Sequence, residues 1–280
     1  MHEDLLPSVE AELGFVVPPH GKAFRYVFEP PPGQAADNCQ PDPRRVLIAD
    51  ARCAARAPRL GVEGFECVRQ VSRVKDFDDE ASVVRDYHAE CRALVQAMLG
   101  ASEVIVFDHL VRKRHPAAST LTALGRGQPS AYAGPAGRVH VDYTVASAEK
   151  RLRLVLGLDP DADYHQRFAI VNIWRSACGP ILDAPLALCD VRSLDRRDLV
   201  ATELRYPKRT GEIYQLAYNP AQRWSYFNEL QADEALVFKQ YDGDAGRPRL
   251  TPHGAFVHPG TPATAPARQS IEVRCLALFA

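Results

Sequence analysis

Short runs of apolar residues, separated by turn residues, fill the second half of the chain. Their number and spacing are typical of an all-β sandwich or barrel rather than of a sheet with alternating helices. The predicted strands cover residues 168–174, 185–189, 212–218, 223–227, 235–241, 254–257 and 270–279. A helical stretch is predicted near 194–204, where it interrupts the series.

The first hundred residues have a different texture. Residues 1–45 are rich in proline and polar groups and predict a partly extended arm over the domain. Strand-like runs follow at 46–48 and 65–68. We expect a single domain, in which residues 1–100 form an arm and helices packed on a core formed by residues 101–280.

Two helices are predicted before the strand series. Apolar residues from Val83 to Met98 recur at helical spacing, so we expect a helix that begins at a cap formed by Asp78-Asp79 and ends at Gly100. The remaining predicted elements are a buried strand at 104–107, a polar loop at 115–137 and a second helix at 146–156. The element pattern predicts a mainly β fold with flanking helices.

Composition narrows the classes of function. Apolar residues make up 46% of the 280 residues and charged residues 25%, as in ordinary globular proteins. The formal net charge of −1 gives no electrostatic footprint for nucleic acid or an anionic membrane. We find no apolar run of about 18 residues, so no transmembrane helix is predicted.

Cysteine usage indicates the compartment. The seven cysteines include no Cys-x-x-Cys pair, so a structural zinc site of the usual spacing is not expected. Their odd number, and an acidic start (Met1-His2-Glu3-Asp4) unlike a signal peptide, predict reduced thiols and a cytoplasmic protein.

The tripeptide His140-Val141-Asp142 is the first candidate for chemistry. An imidazole and a carboxylate at positions i and i+2 of a strand point to the same side. His88-Ala89-Glu90 has the same form, but its segment is predicted to be helical, where these positions diverge. Taken alone, the tripeptide is also explained by a polar strand edge or a buried His–Asp hydrogen bond.

A third ligand would turn the tripeptide into a metal site. His253 begins the strand-like run 254–257, whereas the rival His258 precedes Pro259-Gly260 and is expected to lie in a turn. Two His, one carboxylate and open remaining positions form the facial triad of non-haem Fe(II) oxygenases. We therefore predict His140, Asp142 and His253 as the metal ligands.

The final predicted strand carries arginines. Arg268, Ser270, Glu272 and Arg274 share one face, and Ile271, Val273, Cys275 and Ala277 share the other. A guanidinium on this face can hold the distal carboxylate of a dicarboxylate co-substrate, with the Ser270 hydroxyl assisting. Arg268 is the first choice because it begins the strand, and Arg274 is the second. The alternative is a solvated edge with its arginines paired to carboxylates.

Further side chains are candidates for the surroundings of the metal. Asn172 can hydrogen-bond either the co-substrate or a ligand carboxylate. A structural role for His109 and a core position for Trp174 remain open alternatives. The residues predicted to border the substrate pocket are His109, Arg112, Tyr143, Trp174 and Trp224.

Seven segments in order carry a family resemblance, which spans roughly residues 104–280. They are Phe107-Asp108-His109-x-Val111-Arg112, Val139-His140-Val141-Asp142, Asn172-Ile173-Trp174-Arg175, Pro185-Leu186-Ala187-Leu188-Cys189-Asp190, Tyr218-Asn219-Pro220, Thr251-Pro252-His253-x-Ala255-Phe256 and Arg268-x-Ser270-Ile271-Glu272-Val273-Arg274. The chain resembles the CmcJ/AsaB-type hydroxylase/desaturases, a family with gibberellin-desaturase-like fungal proteins and bacterial natural-product enzymes.

The resemblance implies a double-stranded β-helix (a jelly-roll, cupin-like core), in which early and late strands lie side by side. It also implies dependence on Fe(II), 2-oxoglutarate and O2, a small-molecule substrate, and a role in secondary metabolism. The family's ligand pattern falls on His140, Asp142 and His253, and its terminal arginine motif falls on Arg268 and Arg274.

The sequence is consistent with three functions. The first is an Fe(II)/2-oxoglutarate-dependent dioxygenase that hydroxylates, desaturates or oxidatively cyclises a small molecule at an unactivated C–H bond. The second is a cupin-like hydrolase or isomerase that uses the same ligands for zinc or manganese. The third is a non-catalytic binding module without a metal. The sequence leaves the substrate, the outcome of the oxidation and the oligomeric state open.

Overall fold

Fourteen strands in two sheets form the core of the computed structural model, which describes residues 6–118, 120–125 and 131–280. The nine-stranded sheet has the spatial order β1 (Ser8–Val17), β3 (Gln40–Asp50), β11 (Trp224–Tyr226), β8 (Leu186–Cys189), β13 (His253–Ala255), β6 (His140–Val141), β10 (Thr210–Leu216), β9 (Leu199–Arg205) and β2 (Ala23–Tyr26). The five-stranded sheet has the order β4 (Phe65–Arg69), β12 (Glu234–Asp242), β7 (Phe168–Ser176), β14 (Gln269–Leu278) and β5 (Glu103–Lys113).

The two sheets face each other across an apolar layer. Leu186 and Leu188 of β8 pack against Trp174 of β7 and Phe238 of β12. Burying this layer removes apolar surface from water, which stabilises the fold by about 25 cal/mol for each Å² buried. The inner faces of the sheets thereby define the space in which polar side chains of β7 and β14 meet those of β6 and β13.

Helices cover the outer face of the five-stranded sheet. The short helix α1 (Glu80–Ser82) continues through a π-helical stretch (Val83–Tyr87) into α2 (His88–Leu99). The Asp79 side chain accepts the first-turn N–H of Ser82, and Gly100 ends α2 with a φ of 64°. The predicted helix is therefore confirmed, with a π-helical stretch that the sequence pattern did not show.

The alternation predicted for the final strand is also present. Its apolar face packs on the helix: Ile271, Val273, Cys275 and Ala277 lie in one cluster with Val83, Tyr87, Cys91 and Val95. Consequently the polar face of β14 is turned toward the interior between the sheets.

A third helix, α3 (Val145–Leu156), directly follows the tripeptide that carries the candidate ligands. Thr144 caps it by accepting the N–H of Ser147, and Gly157 ends it with a φ of 66°. Ala148 and Leu152 pack on the ends of β7 and β14. The prediction of a helix over 146–156 is confirmed. Within the ranges that the structure describes, no helix is both long and apolar enough to cross a membrane.

The N-terminal segment is part of a sheet rather than an arm lying over it. β1 pairs with β3 in an antiparallel ladder of ten residues. Ala11, Leu13 and Phe15 alternate inward and are buried, which is the period of a half-buried strand. The prolines of β3 obscured the strand. They are tolerated because β11 pairs only with Ile48–Asp50, so the first part of β3 has one free edge.

The helix predicted near 194–204 is wrong. Two short 3-10 turns, Val191–Ser193 and Arg196–Asp198, lead into strand β9. Asp195 caps the second turn by accepting the N–H of Arg197, and the chain becomes extended at Leu199. Residues of β9 then alternate between buried and exposed, and all seven pair with β10.

Two predicted strands are longer than expected, and one predicted loop is only partly described. The run at 46–48 belongs to β3, and the run at 104–107 belongs to β5, which extends as far as Lys113. In the loop predicted at 115–137, residues 119 and 126–130 lie outside the described ranges.

A close backbone approach fixes the segment that leads into β6. The carbonyl of Gly14 in β1 accepts the N–H of Val139 at 2.8 Å. A Cβ atom at Gly14 would lie 2.8 Å from the carbonyl oxygen of Gly137 and 3.3 Å from Cα of Arg138. Only glycine therefore permits β1 to lie this close to the residues before His140.

We predict that Gly14→Ala destabilises the protein by about 1–3 kcal/mol, the usual cost of forcing extra volume into a packed interior. Gly61→Ala is the matched control, because a Cβ there meets nothing within 4 Å. The free energy of unfolding in urea measures both. Equal free energies of unfolding in the two variants would show that β1 can move away from residues 137–138 without loss of stability.

Candidate metal centre and adjoining cavity

Two neighbouring strands bring three metal-binding side chains together. His140 begins β6, His253 begins β13, and the two are cross-strand partners. Asp142 follows β6 directly. One donor atom of each residue lies within 4.8 Å of the other two. Two imidazoles and a carboxylate suit Fe(II), and their donor atoms are close enough to hold one ion.

Backbone carbonyls orient both imidazoles. Nδ1 of His140 lies 2.8 Å from the carbonyl oxygen of Arg138, and Nδ1 of His253 lies 3.3 Å from that of Thr251. Because a carbonyl only accepts, each Nδ1 carries the proton and donates. The Nε2 atom of each ring is thereby left with a lone pair for a metal.

Two donors hold the carboxylate of Asp142. Nδ2 of Asn172 lies 2.8 Å from Oδ2 and Nε of Arg274 lies 3.1 Å from the same oxygen. Oδ1 faces the other way, 3.4 Å from Nε2 of His140. Of the two roles considered for Asn172, the contact observed is with the candidate ligand carboxylate.

The local charges keep these side chains in the forms that bind metals. Burial, and then the nearby ring of His140, lower the pKa of His253 to about 3, so this imidazole is neutral. Burial alone would raise the pKa of Asp142, but Arg274 and the two imidazoles hold it well below its usual value. A neutral imidazole and an ionised carboxylate are what ligation requires.

Arg268 presents unsatisfied donors beside the candidate ligands. Its Nη1 donates to the carbonyl of Ala184 at 2.5 Å, and its guanidinium lies 5.2 Å from the centre of the Trp174 ring. Among the described residues, Nε of Arg268 and the hydroxyl of Ser270 are buried without a hydrogen-bond partner. Burial, and then repulsion by Arg112, lower the pKa of Arg268 to about 9, so it remains a cation at neutral pH.

A narrow pocket connects this cation to the candidate ligands. Arg268, Trp174, His140 and His253 all line it, together with Arg112 and Glu272. A buried cation with free donors is a place where the oxygens of an anion can bind. The pocket, about 10 Å³ in volume, therefore brings the free donors of Arg268 close to the candidate ligands.

Arg274, in contrast, is surrounded by carboxylates. Besides Asp142, it donates to Asp108 at 2.7 Å and to Glu272 at 2.6 Å. These carboxylates raise its pKa well above the ordinary value against the opposing effect of burial. Arg274 thus orients a candidate ligand, which favours Arg268 over Arg274 as the residue for the co-substrate.

A larger cavity of about 320 Å³ opens on the other side of the candidate ligands. His140 and Asp142 lie at its inner end, with Arg112 and Tyr143 on its walls. Trp174 lines the narrow pocket instead. The cavity is within the size range of sites for small organic molecules.

Two residues predicted for the pocket lie elsewhere. His109 is on the other side of β5, where its ring contacts His88 at 3.1 Å and Glu80 at 3.0 Å. Trp224 is buried in the outer apolar cluster of the nine-stranded sheet, against Phe15. In β5 the residues facing the cavity are spaced two apart, and His109 lies between them.

Several groups that shape the site were not predicted from the sequence. The carbonyls of residues 138 and 251 carry no side-chain signal. Gln240 accepts the N–H of Asp142 at 2.7 Å through its side chain, and a polar residue inside an apolar strand was a signal that could have been used. Lys150 and Arg151 line the cavity from α3, but in the sequence they resemble an ordinary solvated helix face.

Comparison with known proteins agrees with the geometry. A family model described as "Oxidoreductase/YMDC permease-like domain" matches residues 13–278. The Fe(II)/2-oxoglutarate-dependent dioxygenase nvfI of Aspergillus novofumigatus is 33% identical over 95% of each chain. The hydroxylase/desaturase efuI of Hormonema carpetanum is 34% identical over 86% of this chain and 84% of its own length.

A solved structure gives the same result. The iron and alpha-ketoglutarate-dependent endoperoxidase NvfI superimposes with a TM-score of 0.85 at 31% identity, covering 97% of this chain and 98% of its own. The match confirms the predicted jelly-roll core. A small-molecule substrate is consistent with these relatives. The chain therefore belongs to the family of Fe(II)/2-oxoglutarate-dependent dioxygenases that includes the hydroxylase/desaturases of secondary metabolism.

Proposed function

We propose that this dioxygenase oxidises an unactivated C–H bond of a small molecule in natural-product biosynthesis, with His140, Asp142 and His253 holding Fe(II). The observation that carries the proposal is the pairing of β6 with β13, which gathers the three donors between a pocket for an acid and a cavity for a substrate. Bound Fe(II), with 2-oxoglutarate and O2, supplies the oxidising power that removes hydrogen from carbon.

The residues around the candidate ligands have two roles, which are binding of the co-substrate and orientation of Asp142. Arg268 and Ser270 bind the distal carboxylate of 2-oxoglutarate with their free donors, and Trp174 forms the wall beside the guanidinium. Asn172 and Arg274 hold one oxygen of Asp142 so that the other is directed at the metal. The chain thus orients ligands and co-substrate before substrate arrives.

The cavity selects which bond is oxidised. Hydroxylation, desaturation and oxidative cyclisation all begin with removal of hydrogen from carbon, so each requires one C–H group held beside the candidate ligands. Tyr143 and Arg112 lie where they can contact such a molecule. Aliphatic residues on the other walls exclude water from the reacting end.

We further propose that the enzyme works in the cytoplasm, on a small molecule rather than on nucleic acid or at a membrane surface. All seven cysteines lie in the described ranges and are free thiols, as expected in a reducing compartment. The net charge of −1 offers little attraction to polyanions.

The ligand assignment is tested with the two rival histidines. We expect His253→Ala to weaken Fe(II) binding by more than about 100-fold and to abolish succinate formation from 2-oxoglutarate, since removing a ligand exceeds the usual effect of an outer residue. His258→Ala is the control, because its ring instead contacts Tyr226 at 3.2 Å.

Anaerobic titration with Fe(II) and a succinate assay measure both variants. Retention of iron by His253→Ala, with loss in His258→Ala, would reverse the assignment. Turnover of a substrate on zinc or manganese without succinate would instead favour a non-oxidative enzyme.

The roles of Arg268 and Arg274 are distinguished by whether substitution weakens the binding of 2-oxoglutarate or of Fe(II). Arg268→Gln should raise the Kd for 2-oxoglutarate by about 10–100-fold, the value of charge-assisted hydrogen bonds, and leave Fe(II) binding within about threefold. Arg274→Gln should mainly weaken Fe(II) binding, because it releases Asp142. Isothermal titration of each ligand provides the comparison, and the opposite pattern would assign the co-substrate to Arg274.

Asn172 provides a test of ligand orientation. We predict that Asn172→Ala lowers Fe(II) affinity by about 10–100-fold, as loss of a hydrogen bond to a ligand usually does. Ile173→Val is the neighbouring control, because Ile173 faces the helix-covered side of the sheet. Equal Fe(II) affinities in the two variants would mean that the contact with Asp142 has no role in metal binding.

A further inference from the structure

The wall and rim of the cavity differ in chemistry. Its walls include the aliphatic side chains of Leu110, Leu124, Leu204 and Ile213, beside Arg112 and Tyr143. Its rim carries three cations, which we call the cationic rim: Lys150 and Arg151 on α3, and Arg209 in the turn between β9 and β10. A substrate therefore meets apolar surface inside and positive charge at the opening.

The cations of the rim form no ion pair with a carboxylate among the described residues. Among the described residues, no Asp or Glu oxygen lies within ion-pair distance of the three cationic side chains. Arg151 lies 5.4 Å from the centre of the Phe107 ring, and Arg209 lies 3.8 Å from that of Tyr206. Such contacts restrain a guanidinium without neutralising it.

The inner end of the cavity is different. There Arg274 is hydrogen-bonded to both Asp142 and Asp108, so its charge is balanced by these carboxylates. The carboxylate Glu212 lies on the same side as α3 and accepts the hydroxyl of Thr144 at 2.5 Å. An anionic group of a substrate is consequently attracted to the rim and disfavoured beside Asp108 and Asp142.

We propose that the substrate is a hydrophobic organic acid, bound with its carboxylate at the cationic rim and its apolar body along the aliphatic walls toward the candidate ligands. This inference rests on the proposed function and specifies its substrate class. The carboxylate then acts as an anchor remote from the oxidised carbon. The distance between anchor and ligands selects the position along the apolar body that is presented for oxidation.

Matched pairs of probes test the inference. Octanoate and 4-phenylbutanoate are compared with their primary amides by anaerobic calorimetry, using protein loaded with Fe(II) and 2-oxoglutarate. We expect each acid to bind at least fivefold more tightly than its amide at low ionic strength. The preference should shrink at 0.5 M NaCl, because exposed charges are screened.

Charge-removing variants locate the preference. The double variant Lys150→Gln/Arg209→Gln should bring acid and amide to within about twofold, whereas Lys208→Gln should keep the wild-type ratio. Lys208 is the matched control because it is exposed in the same turn as Arg209 but is not part of the cavity lining. A preference that survives the double variant would show that the rim does not bind the carboxylate.

The remaining outcomes separate this inference from the proposed function. If Fe(II) and 2-oxoglutarate bind but acids bind no better than amides, or if no probe binds, the substrate class is wrong and the dioxygenase assignment stands. An acid preference that depends on the rim, in protein that fails to bind 2-oxoglutarate, would support the rim and contradict the proposed function.

Discussion

The pairing of β6 with β13 is the constraint on which the site depends. It sets His140 opposite His253 in a single antiparallel register, so a shift by one residue would turn one of the imidazoles to the other face of the sheet. The apolar layer between the sheets protects this register, because a shift in β13 would also displace Leu186 and its neighbours in β8. Packing and metal geometry are in this way specified by the same hydrogen bonds.

The five-stranded sheet supplies the hydrogen-bond donors that orient Asp142. β7 and β14 are paired along their whole length, and Arg274 is the cross-strand partner of Asn172. Both donors therefore reach Asp142 from one rigid surface. Burial makes these contacts strong, since an unpaired carboxylate in this position would cost far more than an exposed one. A single cross-strand pair thus fixes the orientation of the candidate ligand.

Much of the arrangement could be predicted from the sequence where side-chain periodicity was clear. The two faces of β14 and the helix capped by Asp79 followed from alternation and capping alone. Prediction failed where local signals competed with pairing, as in β3, whose prolines suggested a loop, and in β9, which is stabilised by its pairing with β10 and β2.

Two of the residues predicted to border the pocket were wrong for other reasons. His109 and Arg112 are three positions apart, so a strand that continues through both must place them on opposite faces. Ending the predicted strand at residue 107 concealed this conflict. Trp224 was misplaced for another reason: aromatic residues suit a pocket wall and a core equally well, and only the packing against Phe15 decides between them.

The order of the strands also has a consequence for the newly made chain. Both strands of the ladder between β1 and β3 lie within residues 8–50, so they are synthesised long before His253. His253 begins β13, the central strand of the nine-stranded sheet, and Arg268 directly precedes β14, an interior strand of the five-stranded sheet. The nascent polypeptide therefore holds only two of its three candidate ligands until His253 has been made, and by then most of both sheets has been synthesised.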